Sequence, residues 1–269
     1  MSGSSYGRGL PHLAAAVDQR VPGDGGSVVE LIRLAERGGL DFVTLGDGRG
    51  GPDVPGTLAF AAPVTRRIGL VARVAGPDAA ALGTLDWISG GRAGACTEGP
   101  GAAGDVVRVA DATAGRAGQW ADVVLIRAGG PEQAAAARAE VRREAAAAGR
   151  DPAGVRVLAA LLVDLGDGER AAEPGHGGGG PRFTPGGPLY RGGPVDLADL
   201  VTAWHTGGAV DGFHLTPVEP RRDLERLVNG TVGLLQHRGL FRTFYPGSTL
   251  REHLGVGARR PDGVAEGAA

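Results

Sequence analysis

Residues 40–56 read LDFVTLGDGRGGPDVPG, and two folds compete for this stretch. A short apolar run ends in a loop where Gly46, Gly48 and Gly51 stand at the spacing G-x-G-x-x-G. In a doubly wound domain such a loop cradles a pyrophosphate, follows the first strand and opens a helix directly. In a barrel, the same position is the carboxyl end of a strand, and Asp47 becomes an active-site carboxylate. Glycine makes up 50 of the 269 residues, so chance matches to glycine patterns are frequent and the spacing carries little weight alone.

The neighbouring segments favour the barrel. Upstream, HLAAAV (12–17) reads as a first strand, so the glycine loop follows the second strand, and Pro52 and Pro55 interrupt the helix that a dinucleotide loop needs. Between them GSVVELIRLAERGGL (26–40) has a helical face of Val28, Leu31, Leu34 and Ala35, with Ser27 and Glu30 spaced as a capping box. Downstream, further strands are expected at 67–75, 90–97, 105–111, 122–128, 155–166 and 211–218. Helical patterns at 57–65, 79–89, 112–121, 130–149, 195–209 and 221–239 separate nearly all of them. Eight strands joined by helices imply parallel pairing through right-handed crossovers, and eight such units close into a (β/α)8 TIM barrel. The expected organisation is one barrel domain over 1–256, with a mobile loop at 173–194 where glycine and proline crowd, and a disordered tail at 257–269.

Composition narrows the function classes. Apolar residues at 42% and charged residues at 22% suit a globular chain. A formal charge of -2 offers no field for nucleic acid or an anionic membrane, so neither is expected as a partner. A single cysteine, Cys96, excludes an internal disulfide and, read as a small buried apolar side chain, points to a reducing, cytoplasmic location. No His, Cys and Asp spacing suggests a metal site.

Several segments resemble the bacterial luciferase-like flavin monooxygenases, most of all the branch of nitrilotriacetate monooxygenase and related desulfurising enzymes. The resemblance rests on ERGGLDFVTLGD, RRIGLVARV, LDWISGGRAG, ADVVLIRAGGPEQAAAARAEVRREAAAAGR, LADLVTAWHTGGAVDGFHLTP and LLQHRGLFRTFYPGSTLREHLG, in that order. It implies a barrel that uses reduced FMN from a separate flavin reductase, or the deazaflavin F420, to oxygenate a small molecule. It also implies a homodimer formed through early barrel helices, with the Trp87 helix and ISGGRAG at the interface.

By the same resemblance, Asp47 matches an acidic residue beside the isoalloxazine. Thr113 matches a small hydroxyl residue near the flavin phosphate, where Ala112 to Gly115 can offer backbone N–H groups. Each site residue keeps a second reading. Asp47 could simply form a turn with Gly48, Thr113 could cap a helix, and Arg73 could clamp an anion or form a rim salt bridge. His214 could point into the barrel mouth as a catalytic group or sit as a satisfied interior side chain. The chain departs from the family in its loops: ARVAGPDAA, ACTEGPGAAG and DQRVPGDGG are short and poor in hydroxyl and aromatic groups. A non-catalytic barrel that binds flavin or a protein partner is therefore the alternative function.

Overall fold

The computed structural model describes residues 9–18, 25–46, 53–74, 76, 79–101, 105–166, 169–173, 175 and 179–257, with only the backbone of 25–27. Eight parallel strands close on themselves: β1 (His12–Ala16), β2 (Phe42–Leu45), β3 (Gly69–Arg73), β4 (Ala93–Cys96), β5 (Val107–Asp111), β6 (Val123–Ile126), β7 (Arg156–Asp164) and β10 (Gly212–Pro217). Closure comes from β10 pairing with β1 through His12↔Gly212 and with β7 through Gly212↔Leu158. The barrel reading is therefore correct. Its strands are buried on both faces, which is why they read as apolar runs rather than alternating ones.

Helices α1 (Gly25–Arg37), α2 (Val54–Ala61), α3 (Ala79–Ser89), α4 (Pro131–Ala147) and α5 (Pro194–Thr206) follow strands as expected. Among the described residues no helix is long and apolar enough to cross a membrane. Three expectations need correction. The helix expected at 112–121 is a pair of 3-10 turns, because Gly115 and Arg116 both take positive φ and break the repeat. The helix expected at 221–239 is α6 (Pro220–Arg226), a π-helical turn (Leu227–Val232) and α7 (Gly233–His237). There Thr231 donates to the carbonyl of Pro194, and a Cβ on Gly230 would stand 2.6 Å from Pro194 Cβ.

The third correction concerns 173–194, read as a loop without regular structure. It carries a hairpin of β8 (Arg182–Thr184) and β9 (Gly187–Arg191). β6 pairs with β7 only at Arg156–Ala159, and β9 takes over at Leu162–Asp164, satisfying backbone groups that β6 leaves behind. Buried Tyr190 donates to the Gly193 carbonyl, and Arg191 pairs with Asp164.

The amino-terminal end of the barrel is closed by the chain's own tail. Helix α8 (Leu250–Leu254) places Leu250, Leu254 and Val256 in one cluster with Ala14, Phe42, Val71, Val107, Val123 and Leu158. Room is made by strand glycines: a Cβ on Gly69 would stand 2.6 Å from Leu250 Cδ1. Thr249 and Glu252 form a complete capping box at the start of α8. Around the plug, Arg156 donates to the carbonyls of Leu254 and Gly255, and Arg251 to that of Asp105. Asp41, fully buried, takes Leu13 N at 2.8 Å, Arg242 Nη1 at 2.8 Å and His12 Nδ1 at 3.0 Å. Burial alone would raise its pKa, but the charges of His12 and Arg242 hold it down at about 2.

Candidate functional site

The carboxyl ends of the strands surround a cavity of about 220 Å3. Strand ends β1 and β2 supply Asp18 and Gly46, β3 supplies Arg73, β5 and β6 supply Asp111 and Arg127, and β10 supplies His214 and Thr216. The hairpin tip, Gly186 to Pro188, forms one wall, so the segment that looked structureless shapes the mouth. Parallel barrel strands bring their carboxyl ends together, which lets residues distant in sequence converge here.

Each polar group is held differently. Asp18 accepts Gly46 N at 2.5 Å. Asp111 accepts both the amide and the hydroxyl of Thr113, at 3.1 and 2.8 Å, and pairs with Arg127 at 3.2 Å. His214, only 2% exposed, sits with Nε2 2.9 Å from Thr44 Oγ1. Burial pushes its pKa down to about 3; the positive charge of Arg73 adds to that, and Asp111 opposes it. His214 is therefore a neutral imidazole at physiological pH, able to donate or accept one hydrogen bond but not to serve as a fixed cation. The Arg73 side chain makes no hydrogen bond or ion pair among the described residues.

Of the expected site residues, the cavity brings together Arg73 and His214. Thr113 and Gly115 lie on the exposed turn beyond Asp111 and do not line it, and the Thr113 hydroxyl is committed to Asp111. Asp47 lies outside the described residues, as do Gly48 and Gly51. Gly46 has φ +102°, and a Cβ there would stand 2.7 Å from the carbonyl oxygen of Arg73. That glycine is required by the packing of β2 against β3, whatever it binds. Asp18, Asp111, Arg127 and Thr216 were missed. The rule that singled out Asp47 and Arg73, a polar residue closing an apolar strand, applies equally to Asp111 and Arg127.

The SGGRAG stretch carries a buried arginine. Arg92, 3% exposed, donates to Thr65 Oγ1 and to the carbonyls of Ala62, Thr65, Ile68 and Ser89. It ties α3 and β4 to β3 at the plugged end, far along the barrel from the mouth. Buried Cys96 at the end of β4 has its thiol pKa raised by burial, consistent with a packed side chain. A larger open groove of about 1,020 Å3 lies at the rim between α5 and α6. Its arginines already face carboxylates, Arg221 with Glu30 and Glu225, Arg222 with Asp164 and Asp223, so it offers less unspent chemistry than the mouth.

Comparison with known proteins gives a partial match in sequence and a match in fold. Residues 10–95 match the luciferase-like monooxygenase family. Nitrilotriacetate monooxygenase component A of Aminobacter aminovorans is 44% identical over 73 residues, 27% of this chain and 16% of that protein. Dibenzothiophene-sulfone monooxygenase of Rhodococcus erythropolis is 41% identical over 69 residues, 26% of this chain and 15% of that protein. The chain thus spans about a sixth of the length of these relatives in the matched stretch. In fold, EDTA monooxygenase from Chelativorans sp. BNC1 superposes with a TM-score of 0.75 at 16% identity, covering 93% of this chain and 99% of that one. The coenzyme F420 dependent tetrahydromethanopterin reductase from Methanopyrus kandleri gives 0.61 at 16% identity, covering 84% and 99%.

Proposed function

From a chain that is luciferase-like in sequence over residues 10–95 and luciferase-like in fold across its barrel, we propose a flavin-dependent monooxygenase that acts on a small organic substrate and receives reduced FMN from a separate reductase. The observation that carries this reading is the convergence of Asp18, Arg73, Asp111, Arg127, His214 and Thr216 on one cavity at the barrel mouth. A bound reduced flavin would supply the activation of dioxygen; the protein's part is to hold, orient and exclude water.

The fit is with part of the cofactor. A cavity of about 220 Å3 is below the roughly 300 to 1,000 Å3 of sites that enclose drug-sized ligands. Its walls suit the polar edge of an isoalloxazine ring, whose carbonyl and N–H groups can meet Thr216, the Asp111–Arg127 pair and neutral His214. Asp47, next in sequence to cavity-lining Gly46, stays in the proposal as a carboxylate on the ring's side. Thr113 and Gly115, exposed on the turn beyond Asp111, would face the phosphate end. The small cavity also favours a second reading, a non-catalytic barrel that binds flavin or a protein partner.

Titration of the protein with FMN, reduced FMN under anaerobic conditions, and F420, followed by flavin absorbance, tests the proposal. Binding of reduced FMN with substrate-dependent oxygen consumption is the expected result. Binding without oxygen consumption selects the second reading, and binding of NAD in place of any flavin overturns both.

The reading extends to assembly. Trp87 is 82% exposed and Phe60 77%, with Val64 and Ile88 also exposed on the neighbouring α2 and α3 region. We propose that this apolar face meets a second copy, because such contiguous exposure mostly marks interaction sites. Sedimentation should give a dimer at micromolar concentration, and Trp87→Glu a monomer. A monomeric wild type would remove the proposal.

A further inference from the structure

We propose that the barrel mouth binds the carboxylate of an acidic small organic molecule through Arg73. The inference rests on reading the mouth as the functional site, but not on the flavin.

The mouth contains two guanidinium groups and two carboxylates, and their pairing is uneven. Arg127 is neutralised by Asp111, whose second oxygen is held by Thr113. Asp18 is engaged by the backbone of Gly46. Arg73 lines the same cavity, half-buried, with no hydrogen bond or ion pair among the described residues. Its charge contributes to the lowered pKa of His214 and works against the burial that raises that of Cys96. A partly desolvated cation without a counter-charge carries a solvation cost that an anionic ligand would relieve.

The shape of the donor selects the ligand. A guanidinium presents a planar fork that matches a carboxylate in two parallel hydrogen bonds. Among the described residues the surroundings supply no second unpaired cation, since His214 is neutral and Arg127 is already matched. A single carboxylate therefore suits the site better than a phosphate dianion. Thr216 and the hairpin tip at Gly186 to Pro188 are positioned to meet the remainder of the molecule. The anionic edge of a reduced flavin has similar chemistry, so the experiment must separate the two sources.

Isothermal titration of the flavin-free protein with succinate and with its neutral diamide, succinamide, addresses the ligand directly. The wild type should bind succinate at least about tenfold more tightly than succinamide, the scale of one charge-assisted interaction. Arg73→Gln should weaken succinate binding by about tenfold or more, with Arg73→Lys intermediate because the point charge remains and the fork is lost. Arg127→Gln should change it by less than about threefold, since its charge is already matched. In parallel, FMN affinity measured by absorbance should fall much less in Arg73→Gln than succinate affinity does. Equal binding of succinate and succinamide overturns the proposal. So does an Arg73→Gln protein that keeps succinate and loses FMN, which would assign the guanidinium to the flavin. Failure of the wild type to bind succinate at about 10 mM, where even a millimolar site is mostly filled, also overturns it. Should Arg73→Gln not fold, the contrast between succinate and succinamide on the wild type decides. Failure of the flavin reading would show separately, as an absence of FMN binding with succinate binding intact.

Discussion

Arg92 and Arg73 stand at opposite ends of adjacent strands, and their surroundings differ completely. Arg92, just before β4, spends its guanidinium on one hydroxyl and four carbonyls and is sealed from water. Arg73, closing β3, shares the mouth with two carboxylates and pairs with neither. The contrast extends to the barrel ends as wholes. The plugged end carries Asp41 in contact with His12, Leu13 N and Arg242, and Leu250 packed into the interior. The mouth keeps a cavity, a neutral buried histidine and a cation with no partner among the described residues. The plugged end holds the fold together, and the mouth is where we propose that a ligand binds.

If that division is right, substitutions at the plugged end should cost stability and those at the mouth should cost ligand binding. The largest effect is expected at Asp41. Replacing it with Ala leaves Arg242 without its carboxylate in a buried setting, and denaturant melts should lose about 3 to 5 kcal/mol. A loss below about 1 kcal/mol would show that the network is solvated in solution and would break the comparison at its strongest point. Leu250→Ala should cost about 2 to 5 kcal/mol, because the strand glycines leave nothing to fill the space.

The two ends should also separate by pH. His214 has a folded pKa of about 3 against an ordinary 6.5, so below pH 6.5 the unfolded chain takes up a proton that the folded chain refuses. Its contribution to stability therefore falls as pH drops from about 6.5 towards 3. Asp41 acts in the same sense but in a lower window: its folded pKa is depressed to about 2 from 3.8, so its contribution is complete above 3.8 and is lost as pH falls through 2. Acid unfolding should show a loss from the mouth that begins near pH 6.5 and an added one from the plugged end that begins near pH 4. Melting temperatures of His214→Gln between pH 7 and 4 should be flatter than those of the wild type; parallel curves would assign the upper limb elsewhere.

Smaller effects are expected from the mouth itself. Thr44→Val strands one ring nitrogen of His214 and should cost about 1 to 3 kcal/mol in a thermal melt, with no change in the plugged end. Arg73→Gln should change stability by no more than about 0.5 kcal/mol in either direction, since its side chain makes no hydrogen bond or ion pair among the described residues. A loss of several kcal/mol there would mean that Arg73 has a structural partner and would dissolve the contrast with Arg92.

Local patterning made most of the scaffold legible. Apolar runs such as Phe42–Leu45 and Val123–Ile126 are continuous because both strand faces are buried, and their alternation with helices carries the parallel closed barrel. The face of α1 was readable because Val28, Leu31, Leu34 and Ala35 fall at helical spacing and are all buried. Polar residues closing strands marked Arg73, and His214 stood out within the last strand, so part of the mouth was visible before any coordinates.

What sequence alone left open was decided by contacts between distant segments. The hairpin of β8 and β9 forms because β7 outruns β6 and its free edge needs a partner, a fact no composition of 173–194 contains. The π-helical turn at Leu227–Val232 accommodates Pro194, more than thirty residues away. Whether Arg73 is paired depends on where Asp18 and Asp111 spend their oxygens, and Arg92 is a structural tie only because β3, α2 and α3 meet around it. Chain order determines which residues end a strand; closure of the barrel determines which of them then meet, because only closure brings the ends of β1, β3, β5 and β10 within reach of one another.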